Sequence, residues 1–83
     1  MYHLEIKMKA MKEIRALGAK DQRRVLAALD VLAEDPHAGK KLEGRYEGAW
    51  SFRVWPYRII YTIHRNILTV SVLRVGHRQG VYR

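Results

Sequence analysis

The sequence predicts an α+β two-layer domain: an N-terminal strand and a two-helix hairpin packed on a mainly antiparallel β-sheet. Three observations predict it. Apolar residues alternate at Tyr2, Leu4 and Ile6. They then recur at helical spacing over two stretches, residues 8–17 and 20–34. From Trp50 onward alternation returns and persists almost to Val75.

The first strand spans Tyr2 to Lys7, with His3, Glu5 and Lys7 on its polar side. In the first helix Met11, Ile14 and Leu17 form the apolar stripe, with Lys9, Lys12 and Arg15 between them. Gly18 stops it. The second helix, from about Lys20 to Glu34, buries Val25, Leu29 and Leu32. Asp21 sits in its first turn, where the helix dipole favours a negative charge. Asp35-Pro36 ends it, because a residue before proline avoids the helical region. So short a link makes the helices a hairpin. Residues 35–49 read as a polar, Gly-bearing loop, basic at Lys40, Lys41 and Arg45 and pinned by Leu42.

Three strands follow. Trp50, Phe52 and Val54 alternate with Ser51, Arg53 and Trp55, and Pro56 breaks the run. Tyr57, Ile59, Tyr61 and Ile63 alternate with Arg58, Ile60, Thr62 and His64. Arg65-Asn66 reads as a two-residue hairpin connection. Ile67 to Val75 is apolar on both faces around Val70, as in a central strand, and Arg74 fits that parity only with a bulge. With helices on one face, period-two alternation puts Ser51, Arg53 and Arg58 together on the other.

Size and charge bound what such a chain does. Its 83 residues make one domain, residues 1–83, with no room for an interdomain cleft. At 48% hydrophobic and 29% charged it is globular. No stretch approaches a membrane span, the N-terminus lacks a signal-peptide pattern, and cysteine is absent, which together predict a cytoplasmic protein. Sixteen Lys and Arg against eight Asp and Glu leave a net charge of +8. Clustered cations gain free energy by releasing counterions from phosphates, so a polyanion is the expected partner; an acidic protein satisfies the same field.

Most enzyme signatures are absent. There is no Gly-rich phosphate loop, no paired carboxylates on the sheet, and no His pair at metal-ligand spacing among positions 3, 37, 64 and 77. What remains is Arg53, Arg58 and Arg78, with His77, Tyr82 and Ser51 near them. Guanidinium groups bind phosphate oxygens bidentately and stabilise a pentavalent transition state. An RNA 2′-hydroxyl attacks its own 3′-phosphate, so the protein need not supply a nucleophile. Tyrosine offers a face on which a base stacks. His77 reads either as a solvated turn residue or as a proton carrier. Tyr57, Tyr61, Trp50 and Phe52 fall on the buried parity and read as core.

The runs "LEG" at 42–44, "WSFRVWPYRIIY" at 50–61 and "VGHRQGVYR" at 75–83 resemble the RelE branch of the RelE/ParE toxins, and with the strand–helix–helix start the likeness covers nearly the whole chain. The resemblance implies the toxin of a type II toxin–antitoxin pair: a ribosome-dependent mRNA endonuclease, needing no metal or cofactor, that cuts in the ribosomal A site by 2′-hydroxyl attack and inhibits translation. It implies as partners the 70S ribosome, mRNA and a cognate antitoxin whose acidic or amphipathic segment wraps the toxin, and no membrane. By resemblance Arg58 and Arg78 hold the scissile phosphate, Arg53 is the basic residue on the neighbouring strand, and Tyr82 stacks on the cleaved nucleotide. Lys40, Lys41, Arg45, Arg74, Arg83 and Trp55 are the expected RNA contacts around them. Two positions depart from the family pattern: Ser51 replaces a lysine proposed as general base, and Trp55-Pro56 replaces Gly-Asp. A ParE-like poison of DNA gyrase and a catalytically weak RNA- or ribosome-binding module are the alternative readings.

Overall fold

The computed structural model describes residues 1–77 and 80. A short strand, β1 (His3–Ile6), leads into α1 (Met8–Arg15) and α2 (Ala19–Glu34). Then come β2 (Lys40–Lys41), β3 (Trp50–Val54), β4 (Tyr57–His64) and β5 (Thr69–His77). The five strands form one sheet in the order β1-β5-β4-β3-β2. Only β1 is parallel to its neighbour, with Leu4 opposite Val70 and Ile6 opposite Val72. The sheet is therefore mainly antiparallel with the helices layered on it, as the alternation and helical periodicity require.

The helices bury the faces their spacing dictates. Ala10 and Ile14 of α1 and Val25, Ala28, Leu29 and Leu32 of α2 meet Ile59, Tyr61, Val70, Val72 and Val75 of the sheet. Trp50, Phe52 and Val54 pack against the same core from β3. The Gln22 side chain closes the link between the helices by donating to the Leu17 carbonyl at 2.8 Å, which satisfies a backbone acceptor past the end of α1. Among the described residues, no helix is long and apolar enough to cross a membrane.

Four local features depart from the sequence reading or refine it. The segment read as a loop over residues 35–49 contains two 3₁₀ turns, Pro36–Ala38 and Gly44–Tyr46, and the two-residue strand β2 between them. Two residues are too few for a period to show. The connection from β4 to β5 is longer than a two-residue hairpin: a 3₁₀ turn over Arg65–Ile67 and a left-handed Leu68 at φ 48° separate the paired residues His64 and Thr69. A leucine occupies the position where glycine or asparagine normally signals the turn. The bulge demanded by Arg74 is present: Ile60 pairs with Arg74, the next residue Tyr61 pairs with Val72, and Leu73 is the extra residue. Finally, the face away from the helices is not wholly bare. Ala49 and Ile60, with Leu42 and Leu73, form a second small apolar cluster there.

Candidate functional site

The site grows out of the register of β2, β3 and β4. Arg53 lies directly opposite Arg58, and Ser51 directly opposite Ile60. Lys40 of β2 lies directly opposite Ser51. Paired residues in an antiparallel ladder project to the same side, so Lys40, Ser51, Arg53 and Arg58 share the face away from the helices. Together with Ala38, Gly39 and Phe52 they line an open cleft of about 330 Å³.

Two features of this cleft have physical weight. Like charges directly opposite on a sheet repel, so the Arg53–Arg58 pair costs stability unless an anion lies between the guanidinium groups. No salt bridge or side-chain hydrogen bond to Lys40, Arg53 or Arg58 occurs among the described residues. The second feature is Ser51. It is only 6% exposed, and its Oγ has no hydrogen-bond partner among the described residues. An unpaired buried hydroxyl costs about 1–3 kcal/mol.

The floor of the cleft is held from behind. Tyr61 is fully buried on the helix side, and its hydroxyl donates to the Pro36 carbonyl at 2.7 Å while accepting the Gly39 amide at 3.2 Å. Burial pushes this phenol up to about 12, so it stays a neutral donor. Gly39 must be glycine: a Cβ there would collide with the Tyr61 hydroxyl and lie 2.7 Å from the Ser51 carbonyl. These contacts fix the backbone just before Lys40.

The remaining expected contacts scatter. The Lys41 ammonium lies 5.9 Å from the Trp50 ring centroid, on the opposite side of the sheet from Lys40. Arg45 stands 5.9 Å from the Tyr46 ring in the second 3₁₀ turn. Trp55 is 53% exposed in the β3–β4 turn, and its carbonyl accepts from Arg24 at 2.8 Å. Arg74 does not join the cleft: its guanidinium is chelated by the Glu13 carboxylate at 3.0–3.2 Å, and the same carboxylate accepts the Val75 amide at 2.9 Å. Because β1 pairs with β5 only as far as Val72, Glu13 caps the β5 edge where β1 has ended. His77 also stands apart. It pairs with Tyr57, whose hydroxyl donates to Asp21 of α2 at 2.9 Å, so it belongs to the helix side while its neighbour Gly76 faces Arg58. Arg78, Tyr82 and Arg83 lie outside the described residues.

Sequence reasoning brought Arg53 and Arg58 together correctly in register. Lys40 and Lys41 are adjacent in the sequence, and only the ladder separates them. Sequence reasoning missed Gly39 and Tyr61 as supports and Glu13 as the partner of Arg74; no local signal marks contacts across such separations.

This fold is shared with known proteins. The family model described as the ParE toxin of type II toxin–antitoxin systems matches residues 4–82. Toxin RelG of Mycobacterium tuberculosis is 38% identical over 66 residues, covering 72% of this chain and 76% of the relative. The chain belongs to the RelE/ParE toxin superfamily, in its RelE branch. The toxin superposes on a chain of the RelBE2 toxin–antitoxin complex from M. tuberculosis with a TM-score of 0.86 at 30% identity, covering 93% of this chain and 98% of that one. A chain of the intact RelBE complex from Escherichia coli gives 0.80 at 28% identity, with 93% and 96% covered. A chain of the archaeal RelE–RelB complex from Pyrococcus horikoshii gives 0.81 at 25% identity, with 96% and 98% covered.

Proposed function

We propose that this toxin is a ribosome-dependent mRNA endonuclease, acting in the cytoplasm and held inactive by a cognate antitoxin. The observation that carries the reading is the cross-strand pair Arg53–Arg58 in an open cleft. Two guanidinium groups at one ladder step suit a phosphodiester, because each offers a fork of donors to its oxygens. Cleavage then follows without a protein nucleophile. The RNA 2′-oxygen–phosphorus bond forms as the phosphorus–5′-oxygen bond breaks, leaving a 2′,3′-cyclic phosphate and a 5′-hydroxyl. The 2′-hydroxyl loses one proton and the 5′-oxygen gains one. The arginines hold the in-line geometry and neutralise the charge that builds on the phosphoryl oxygens. Arg78 and Tyr82 complete the set by resemblance to RelE toxins.

The neighbours' toxin–antitoxin complexes support an antitoxin for this chain too. A net charge of +8 makes an acidic or amphipathic segment the fitting cover for the basic face.

The test is induction of the toxin without its antitoxin, followed by mapping of mRNA 5′ ends on ribosomes. Cuts at fixed codon positions are expected. A second reading has one observation in its favour, the match to a ParE toxin model. An intact message with accumulating broken DNA would establish that reading and overturn the first.

A further inference from the structure

The cleft holds a third cation that the arginine pair does not explain. Lys40 and Lys41 are adjacent, yet the ladder sends them to opposite faces: Lys41 opposite Trp50, Lys40 opposite Ser51. Side chains directly paired in this way have Cβ atoms roughly 5 Å apart. The Lys40 side chain therefore starts one ladder step from the orphan Ser51 hydroxyl, and Arg53 follows two residues further along β3. Its backbone is unusually well fixed for a segment this short. Gly39 is pressed against Tyr61 and the Ser51 carbonyl, and the Tyr61 hydroxyl ties both Gly39 and Pro36 to the sheet. Such support is more than an exposed, solvated lysine needs. It is what a cation needs if its position matters to chemistry.

We infer that Lys40 is a catalytic residue of this toxin: its ammonium lies on the non-bridging oxygens of the scissile phosphate, across from the arginine pair. The inference rests on the RNA-cleavage reading above and assigns work within that site. Lys40 remains an ammonium throughout and moves no proton. Its contribution is charge, greatest when the phosphoryl group carries its extra negative charge in the pentavalent transition state. The protons exchanged at the 2′- and 5′-oxygens pass to and from water. A serine hydroxyl, neutral and short, cannot supply that charge itself; an ammonium one strand away can.

The experiment is single-turnover cleavage of mRNA on programmed ribosomes, with wild type, Arg58→Ala, Lys40→Ala, Lys40→Arg and the double variant Lys40→Ala/Ser51→Lys. Lys40→Ala is expected to lower the cleavage rate about 10²-fold, with half-saturation changing by less than about threefold, because the interaction is made in the transition state. Lys40→Arg keeps the charge and is expected to recover most of that loss. The double variant moves the ammonium across one ladder step and is expected to regain at least about tenfold over Lys40→Ala. The rate–pH profile of Lys40→Ala keeps the wild-type shape, since no proton carrier has been removed. If wild type cuts, Arg58→Ala is inactive and Lys40→Ala stays within about threefold of wild type, the endonuclease reading stands and the role of Lys40 is refuted. Lys40→Arg as slow as Lys40→Ala, or a double variant that unfolds in urea as wild type does yet shows no recovery, also overturns it. If wild type makes no codon-positioned cut, the endonuclease reading falls first and this one with it.

Discussion

Removing one oxygen from the core tests how the sheet's two faces are connected. Tyr61→Phe keeps the ring, its packing in the core and its stacking on Trp50 at 6.4 Å. It removes only the hydroxyl that holds Pro36 and Gly39. Each hydrogen bond is worth about 1 kcal/mol net, and the buried Pro36 carbonyl is left without its donor. The expected loss is about 2–3 kcal/mol, or roughly 10–20 °C in Tm for a domain of this size. Urea unfolding followed by tryptophan fluorescence reads it, because Trp50 sits against the altered ring. A loss below about 0.5 kcal/mol would refute the claim that this hydroxyl anchors the segment before Lys40.

The same variant carries a pH signature with a defined sign. The phenol ordinarily titrates near 10.0, and burial raises it to about 12 in the fold. The folded state therefore holds the proton more tightly than the unfolded chain does. Its contribution is complete below the unfolded value and is lost as pH climbs from about 10 through about 12. Tyr61→Phe has no such proton, so the stability gap between wild type and variant should narrow across that window. A gap that stays constant there would mean that the hydroxyl is not buried as described.

Other outcomes follow from the same structure. Arg58→Ala should abolish codon-positioned cleavage, by about 10²–10³-fold, while leaving stability unchanged or slightly raised, since it relieves the repulsion with Arg53; urea melts showing a loss above about 1 kcal/mol would contradict that account. Glu13→Gln should cost about 1–3 kcal/mol and speed hydrogen exchange at the Val75 amide, because one carboxylate serves both Arg74 and the β5 edge; unchanged exchange there would remove Glu13 as an edge cap. Single neutralisations of Arg53 or Arg58 should each reduce the salt slope of binding to a single-stranded RNA oligomer by roughly 0.7–1, measured by fluorescence anisotropy, and an unaltered slope would take that residue out of the phosphate contact. Hydrogen bonds from Lys7 and then Ser71 hold the Glu5 carboxyl below its usual range. Its contribution is present above the ordinary carboxylate pKa and is lost as pH falls through the lowered one, so Glu5→Gln should flatten the acid limb of the stability–pH curve.

Much of this fold is legible because a strand such as β3 has two different sides. The alternation Trp50, Phe52, Val54 against Ser51, Arg53 separates core from cleft without any structure, and a tight turn at Trp55-Pro56 then places Arg58 beside Arg53. Even the bulge at Leu73 is readable, as a parity that Arg74 fails to keep. What resists reading is of two kinds. One is brevity: β2 has two residues, so nothing in Lys40-Lys41 reveals that they face opposite ways. The other is distance along the chain. Glu13 and Arg74 are 61 residues apart, and Tyr61 and Pro36 are 25 apart, so neither contact leaves a local pattern. Arg74 looked like one more cation for a phosphate. The edge left open where β1 ends made it a partner for Glu13 instead.

The arrangement also explains why a domain with so small a core tolerates a cluster of cations that have no ion-pair partner among the described residues. The helix side of β3 and β4 carries the burial, through Phe52, Ile59 and Tyr61, while the same two strands present Arg53, Arg58 and Ser51 on the reverse. A one-residue slip of β3 against β4 would exchange the two sets, so the apolar burial that stabilises the sheet is also what holds the guanidinium groups opposite each other. The repulsion between them is local and partly screened by water, whereas the burial that fixes the register is spread over the whole core. On the RNA-cleavage reading proposed above, a bound phosphate would turn the same two charges from a cost into a contact, and one ladder step away it would meet Lys40.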